Sequence, residues 1–95
     1  IISVPETMNN NFDLISFPNP FSNHTSVSYT LQESMQVEIN VYDMMGKKVA
    51  ELEKTNRSAG KHQLNWNADN LPAGIYNLEM NAGGTIANKK LVLIK

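Results

Sequence analysis

Two stretches of the chain, Thr25 to Leu31 and Met35 to Tyr42, alternate apolar and polar residues with a period of two. Val27, Tyr29 and Leu31 share one side of the first, with Ser26, Ser28 and Thr30 on the other; Met35, Val37, Ile39 and Val41 oppose Gln36, Glu38 and Asn40 in the second. Successive side chains of a strand point to opposite faces, so each stretch makes a strand with one buried and one wetted face. No stretch supports a helix. Thirteen asparagines, with few Ala and Leu, favour turns and polar strand faces.

The pattern extends to seven short runs divided by turn residues, the spacing of a sandwich or barrel. Phe12, Leu14 and Phe17 belong to the first run, which stops at a rigid corner, Pro18-Asn19-Pro20. After the third run, Asp43-Met44-Met45-Gly46 suits a type I turn with Gly46 in the left-handed conformation, closing a bulged hairpin and pairing the third and fourth runs antiparallel. Val49 and Leu52 are three apart, which breaks the period and predicts a bulge near Ala50-Glu51. Beyond a polar loop from Lys54 to Ala59, His62, Leu64 and Trp66 alternate with Lys61, Gln63, Asn65 and Asn67. Leu71-Pro72-Ala73-Gly74 turns the chain into a sixth run with Tyr76, Leu78 and Met80 inward, and Ala82-Gly83-Gly84-Thr85 turns it into the last run, which ends Lys89 to Lys95. Half-buried sheets must cover their apolar faces, so the expected fold class is all-β, an antiparallel seven-stranded β-sandwich over residues 11–95. Residues 1–10, with Pro5 and the start of an Asn9-Asn10-Asn11 run, have no sustained period and read as a linker or lead-in.

Composition narrows the function. Ninety-five residues make one domain, and eight basic against nine acidic residues leave a net charge of −1, so no broad field exists to hold nucleic acid or an anionic bilayer. No window approaches the roughly 18 apolar residues of a membrane-inserted span. Residues 1–10 lack the basic start and apolar run of a signal peptide, and the chain opens on Ile1, so it is expected to be part of a longer precursor with its export signal upstream. There is no cysteine, and neither paired cysteines nor clustered histidines to suggest a metal.

Catalytic and cofactor-binding residues are not indicated. His62 is in phase with Leu64 and Trp66 and reads as a packed residue with one satisfied nitrogen; His24 reads as solvated. Asp13, Asp43 and Asp69 lie in separate runs or turns without the spacing of a calcium loop or a carboxylate pair. Gly83-Gly84 lacks the following helix and Lys of a phosphate cradle. Asn23-His24-Thr25 and Asn56-Arg57-Ser58 match the N-glycosylation triplet, which arises readily by chance in so Asn-rich a chain. Tyr29, Trp66 and Tyr76 fall in phase with core aliphatics and so are expected to be buried, which argues against a sugar-stacking platform.

The order of motifs is more specific than any one of them. Phe17-Pro18-Asn19-Pro20-Phe21 precedes the alternating run to Leu31; Val41-Tyr42-Asp43-Met44-Met45-Gly46-Lys47-Lys48-Val49 and Gly60-Lys61-His62-Gln63-Leu64-Asn65-Trp66 follow; Leu71-Pro72-Ala73-Gly74-Ile75-Tyr76 and Lys89-Lys90-Leu91-Val92-Leu93-Ile94-Lys95 close the chain. Over residues 17–95 this resembles the type A C-terminal sorting domain of proteins exported by the type IX secretion system of Bacteroidetes. The resemblance implies an immunoglobulin-like sandwich that directs its cargo across the outer membrane. It implies passage through the periplasm, recognition by translocon components, and a final place on the cell surface or outside. It further implies removal by a cell-surface sortase-like peptidase that can anchor the cargo; such a cut is expected at or upstream of about Asn10. The isolated domain is expected to be monomeric or weakly self-associating. A carbohydrate-binding or spacer module of a secreted protein is the alternative.

The residues expected to carry recognition are Pro18, Asn19, Pro20, Asp43, Gly46, Gly74, Tyr76, Lys89, Lys90, Leu91, Val92, Leu93, Ile94 and Lys95. Leu91 to Ile94 are four consecutive apolar residues, so both faces of the last run are apolar. A two-layer domain covers one of them; the other, or the strand edge, is left for a partner, the alternative being that the first strand or residues 1–10 cover it.

Overall fold

A computed structural model describes residues 12–95, so the lead-in and its expected cleavage lie outside the described residues. Seven strands run β1 (Ile15–Phe17), β2 (His24–Leu31), β3 (Met35–Tyr42), β4 (Lys48–Arg57), β5 (Gly60–Asn67), β6 (Gly74–Ala82) and β7 (Thr85–Leu93), and no helix occurs among the described residues. They form two antiparallel sheets in the orders β1-β2-β5 and β4-β3-β6-β7. β1 lies against β7 across the sandwich.

The alternation read from β2 and β3 places side chains as expected. Val27, Tyr29, Leu31, Val37, Ile39 and Val41 are buried between the sheets with Leu78, Met80, Leu91 and Leu93. Phe21 and Tyr76 pack on Trp66, with ring centroids 5.7 and 6.5 Å away. All of these aromatic rings are buried, as is Tyr29, so none of the four presents an open face for a sugar to stack on.

The turns follow their chemistry. The Gly46 N–H donates to the Asp43 carbonyl at 3.0 Å, the Asp43 N–H donates to the Lys47 carbonyl at 2.9 Å, and Gly46 has φ +86°, the bulged type I hairpin expected. Asp43 Oδ1 also accepts from the Met45 and Lys47 N–H groups, both at 2.9 Å, which explains an aspartate at the first position.

Three expectations are corrected. Phe17 is 75% exposed, because Phe12, Leu14 and Ser16 set the inward parity and Phe17 falls on the other face of β1. The last strand begins at Thr85 and ends at Leu93, so Ile94 and Lys95 lie beyond it; the turn at Gly83-Gly84 is a two-residue hairpin, and pairing starts at once. In β4 the single bulge expected near Ala50-Glu51 is two, since the register with β3 skips Val49 and Leu52. The second skip turns Glu53 inward opposite Ile39, where it is 9% exposed and bonded to Arg57.

Candidate functional site

The corner Phe17–Phe21 is built onto the end of β7. The Asn19 side chain behaves as a short piece of strand: Nδ2 donates to the Lys90 carbonyl at 2.8 Å, and Oδ1 accepts from the Val92 N–H at 3.0 Å. The backbone continues the ladder, with the Phe21 N–H on the Val92 carbonyl at 2.9 Å and the Ile94 N–H on the Phe21 carbonyl at 2.8 Å, so Phe21 bridges Leu93 in parallel sense. Behind the corner, the Thr25 hydroxyl donates to the Pro18 carbonyl at 2.8 Å. Its one proton is thus committed, so the buried Ser16 hydroxyl donates to Thr25 Oγ1 at 2.7 Å. Buried Phe21 is the apolar anchor.

This arrangement brings together most of the residues singled out in the sequence. Asn19, between Pro18 and Pro20, meets Lys90 and Val92, and Phe21 meets Val92 and Ile94. Leu91 and Leu93 point inward and are buried, so the outward pair of the last run is Val92, half-buried, and Ile94, 52% exposed. Lys89 lies opposite Leu78 and is half-buried on the inner side, a charge that discourages strand addition there. The Lys95 ammonium reaches the Asp69 carbonyl at 2.8 Å. The edge of β7 between Lys90 and Ile94, which the sequence leaves open to an added strand, is occupied by the corner itself.

The hairpin tip joins the same surface. Met44, Ile75, Tyr76, Asn77 and Lys90 line a shallow depression of about 370 Å³, and Ile75 is the cross-strand partner of Val92. Met44, Ile75, Val92 and Ile94 thereby form an apolar margin beside Lys90, with Met45 91% exposed at the tip. Gly74 starts β6 opposite Leu93. The Tyr76 hydroxyl donates to the Pro72 carbonyl at 2.5 Å, and burial, helped by Asp43, raises its ionisation range.

At the opposite flank, where β4 and β5 end the two sheets, lies a cluster that sequence reasoning missed. Glu53 and Arg57 pair four residues apart along β4, the Tyr29 and His62 ring centroids are 5.4 Å apart, and His62 Nε2 bonds the Ser58 carbonyl at 2.8 Å. Burial first, then Glu53, raises the ionisation range of the Tyr29 phenol, whose hydroxyl has no hydrogen-bond partner. A clue existed in the three-residue spacing of Val49 and Leu52, but only counting both skips reveals Glu53 as inward.

No group of three or more His, Cys, Asp or Glu is placed to hold a metal ion among the described residues. His24 is exposed in a shallow polar groove with Pro18, Ser22, Asn23, Asn67 and Asp69. The distinctive residues thus assemble a surface in which the Phe17–Phe21 corner is bonded to the end of β7. Residues 16–95 match the family model of the secretion system C-terminal sorting domain, and the chain belongs to that family. Its function is that of a C-terminal sorting signal for type IX secretion, a system of Bacteroidetes, and the family is not a catalytic one. Such a tail works with the type IX machinery and takes its precursor to the cell surface or beyond. Searches of curated proteins and of solved structures returned no match.

Proposed function

We propose that the type IX translocon reads this domain as a folded surface, at the face where the Pro18-Asn19-Pro20 corner, the Asp43–Gly46 tip and the end of β7 meet. The observation that carries this reading is Asn19, whose carboxamide bonds both Lys90 and Val92 and so ties motifs more than seventy residues apart into one patch. Lys90 and Lys95 frame that patch with positive charge, Val92 and Ile94 give it an apolar centre, and Lys89 lies on the inner side. Leu91, Leu93, Gly74 and Tyr76 act from beneath, holding the strand in place. Reading takes place in the periplasm, and a cell-surface sortase-like peptidase then acts upstream of the sandwich.

The strand order supports an immunoglobulin-like arrangement: β1-β2-β5 and β3-β6-β7 correspond to the A-B-E and C-F-G strands of that frame, with β4 attached to the second sheet rather than the first.

The test fuses residues 1–95 to a reporter in a type IX-competent bacterium and changes Val92 and Ile94 together to Thr. Export is expected to fall at least tenfold while the purified domain keeps its denaturant midpoint. Unchanged export with unchanged stability would place recognition elsewhere.

A further inference from the structure

On the outer face of the four-stranded sheet, register sorts the side chains into rows. Val92 lies opposite Ile75 in one row; in the next, Lys90 lies opposite Asn77, Asn77 opposite Tyr42, and Tyr42 opposite Lys48. A third row runs Asn88, Glu79, Asn40, Glu51. The middle row of these three therefore carries a cation at each end and no acid, and it borders an apolar row.

The two cations differ. Lys48 reaches Glu51 Oε1 at 3.9 Å, whereas Lys90 makes no ion pair among the described residues, its diagonal neighbour Glu79 included. The acid of the hairpin tip is already engaged, since Asp43 Oδ1 accepts from the Met45 and Lys47 N–H groups. Beneath the free ammonium the backbone is held: the Lys90 carbonyl accepts from Asn19 Nδ2 at 2.8 Å. An exposed cation thus projects from a fixed point of β7.

Lys90 stands in the depression beside the hairpin tip, and among the residues that line it, Met44, Ile75, Tyr76, Asn77 and Lys90, it carries the only charge. Met44 and Ile75 are exposed, the Tyr76 hydroxyl is committed to Pro72, and Asn77 Nδ2 donates to Asn88 Oδ1 at 3.2 Å. A purely apolar occupant would take the ammonium out of water with nothing to pair it, a cost that opposes the apolar contact. A basic occupant would be repelled. The lining is complementary to one chemistry, an aliphatic side chain over Met44 and Ile75 with a carboxylate beside it on Lys90. Met44, unbranched and at a hairpin tip, has the freedom to move and admit it.

We infer that this depression receives from the translocon an acidic side chain together with an aliphatic one presented on the same face, an inference that rests on the translocon docking here and adds the chemistry it brings.

The probe is an acetylated, amidated pentapeptide, leucine-threonine-glutamate-threonine-leucine, whose period of two puts glutamate and both leucines on one face. It is titrated into the isotope-labelled 95-residue chain beside versions with glutamine or lysine in place of glutamate. Shifts are expected at Met44, Ile75, Asn77 and Lys90, with the glutamate peptide bound at least fivefold tighter than the glutamine one and at least tenfold tighter than the lysine one. Lys90→Met should abolish the preference for glutamate over glutamine and keep the shifts at Met44 and Ile75. Since the Lys90 side chain is exposed and unpaired, the variant should keep its denaturant midpoint. In the reporter fusion, Lys90→Glu should lower export at least tenfold and Lys90→Arg less than twofold. Equal binding of the three peptides, shifts confined to another face, or full export of Lys90→Glu would each overturn the inference. The two ideas fail differently. Full export of Lys90→Glu beside impaired export of the Val92 and Ile94 double variant sinks the acid pocket alone, whereas full export of the double variant with Lys90→Glu impaired removes the apolar centre from the docking face and supports the pocket.

Discussion

The two flanks of the sandwich handle the same problem in opposite ways. At the β7 flank every outward backbone group from the Lys90 carbonyl to the Ile94 N–H bonds the Asn19–Phe21 corner. At the β5 flank the outward groups of Lys61, Gln63 and Asn65 face no strand among the described residues. The difference extends to the buried tyrosines. Tyr76, near the closed flank, donates to the Pro72 carbonyl, whereas the Tyr29 hydroxyl, near the open one, has no partner. Burial alone therefore does not measure how finished a region is: both rings are nearly inaccessible, and only one is satisfied. The closed flank is where the Phe17–Phe21 corner and the Lys90–Ile94 segment meet, and its bonds leave Val92 and Ile94 on the outer face.

If the corner holds that flank shut, the largest effect should come from its anchor. Phe21 is 2% exposed and packs on Trp66, so Phe21→Ala should cost about 3–5 kcal/mol. Chemical denaturation measures it, and a loss under about 1 kcal/mol would show that the corner is an ornament on an independent sheet. Asn19→Ala removes two bonds and strands the Val92 N–H and Lys90 carbonyl, at a cost of about 2 kcal/mol. Hydrogen exchange sharpens the comparison: in Asn19→Ala the Val92 amide should approach the rapid exchange of the outward Gln63 amide, while amides of β2 keep their protection. Uniform acceleration across both sheets would instead mean that the two flanks unfold as one unit.

Much of the fold was legible where the determinants are local. Alternation in β2 and β3 identified strands and their inward faces because one buried side fixes parity, and Asp43 and Gly46 announced their turn because each supplies something its position requires. Phe17 misled for the converse reason, since a lone apolar residue beside a proline carries no parity of its own. The role of Asn19 was invisible: its partners are 71 and 73 residues away, and nothing near Asn19 shows that its side chain will stand in for a strand. Sheet membership of β4 was legible, because its pairing with β3 follows from the short Asp43–Gly46 hairpin, whereas which sheet the fifth run joins was not. The motif order drew attention to the corner where periodicity did not, and one of those motifs, Gly60–Trp66, lies in β5 at the open flank.

The smallest effect is the most discriminating. Tyr76→Phe removes a hydrogen bond to the Pro72 carbonyl and should cost about 1 kcal/mol at neutral pH. Tyr29→Phe removes a buried hydroxyl that has no partner, so stability should be unchanged or rise by less than about 1 kcal/mol. Alkaline titration gives an independent reading. Both phenols ionise above their ordinary range in the folded chain, chiefly because burial disfavours the phenolate. Both are neutral in folded and unfolded chains at pH 7. Once the pH passes about 10, the unfolded chain releases these protons while the folded chain retains them, so stability falls as pH climbs through the raised folded values. Tyr29→Phe should make that fall shallower without a neutral-pH penalty, whereas Tyr76→Phe should make it shallower with one. A clear loss of stability in Tyr29→Phe at pH 7 would mean that its hydroxyl finds a partner in solution, with Glu53 and Arg57 beside it the nearest candidates. In that case the β5 flank would be as finished as the β7 flank, and the contrast between them would reduce to the backbone edge alone.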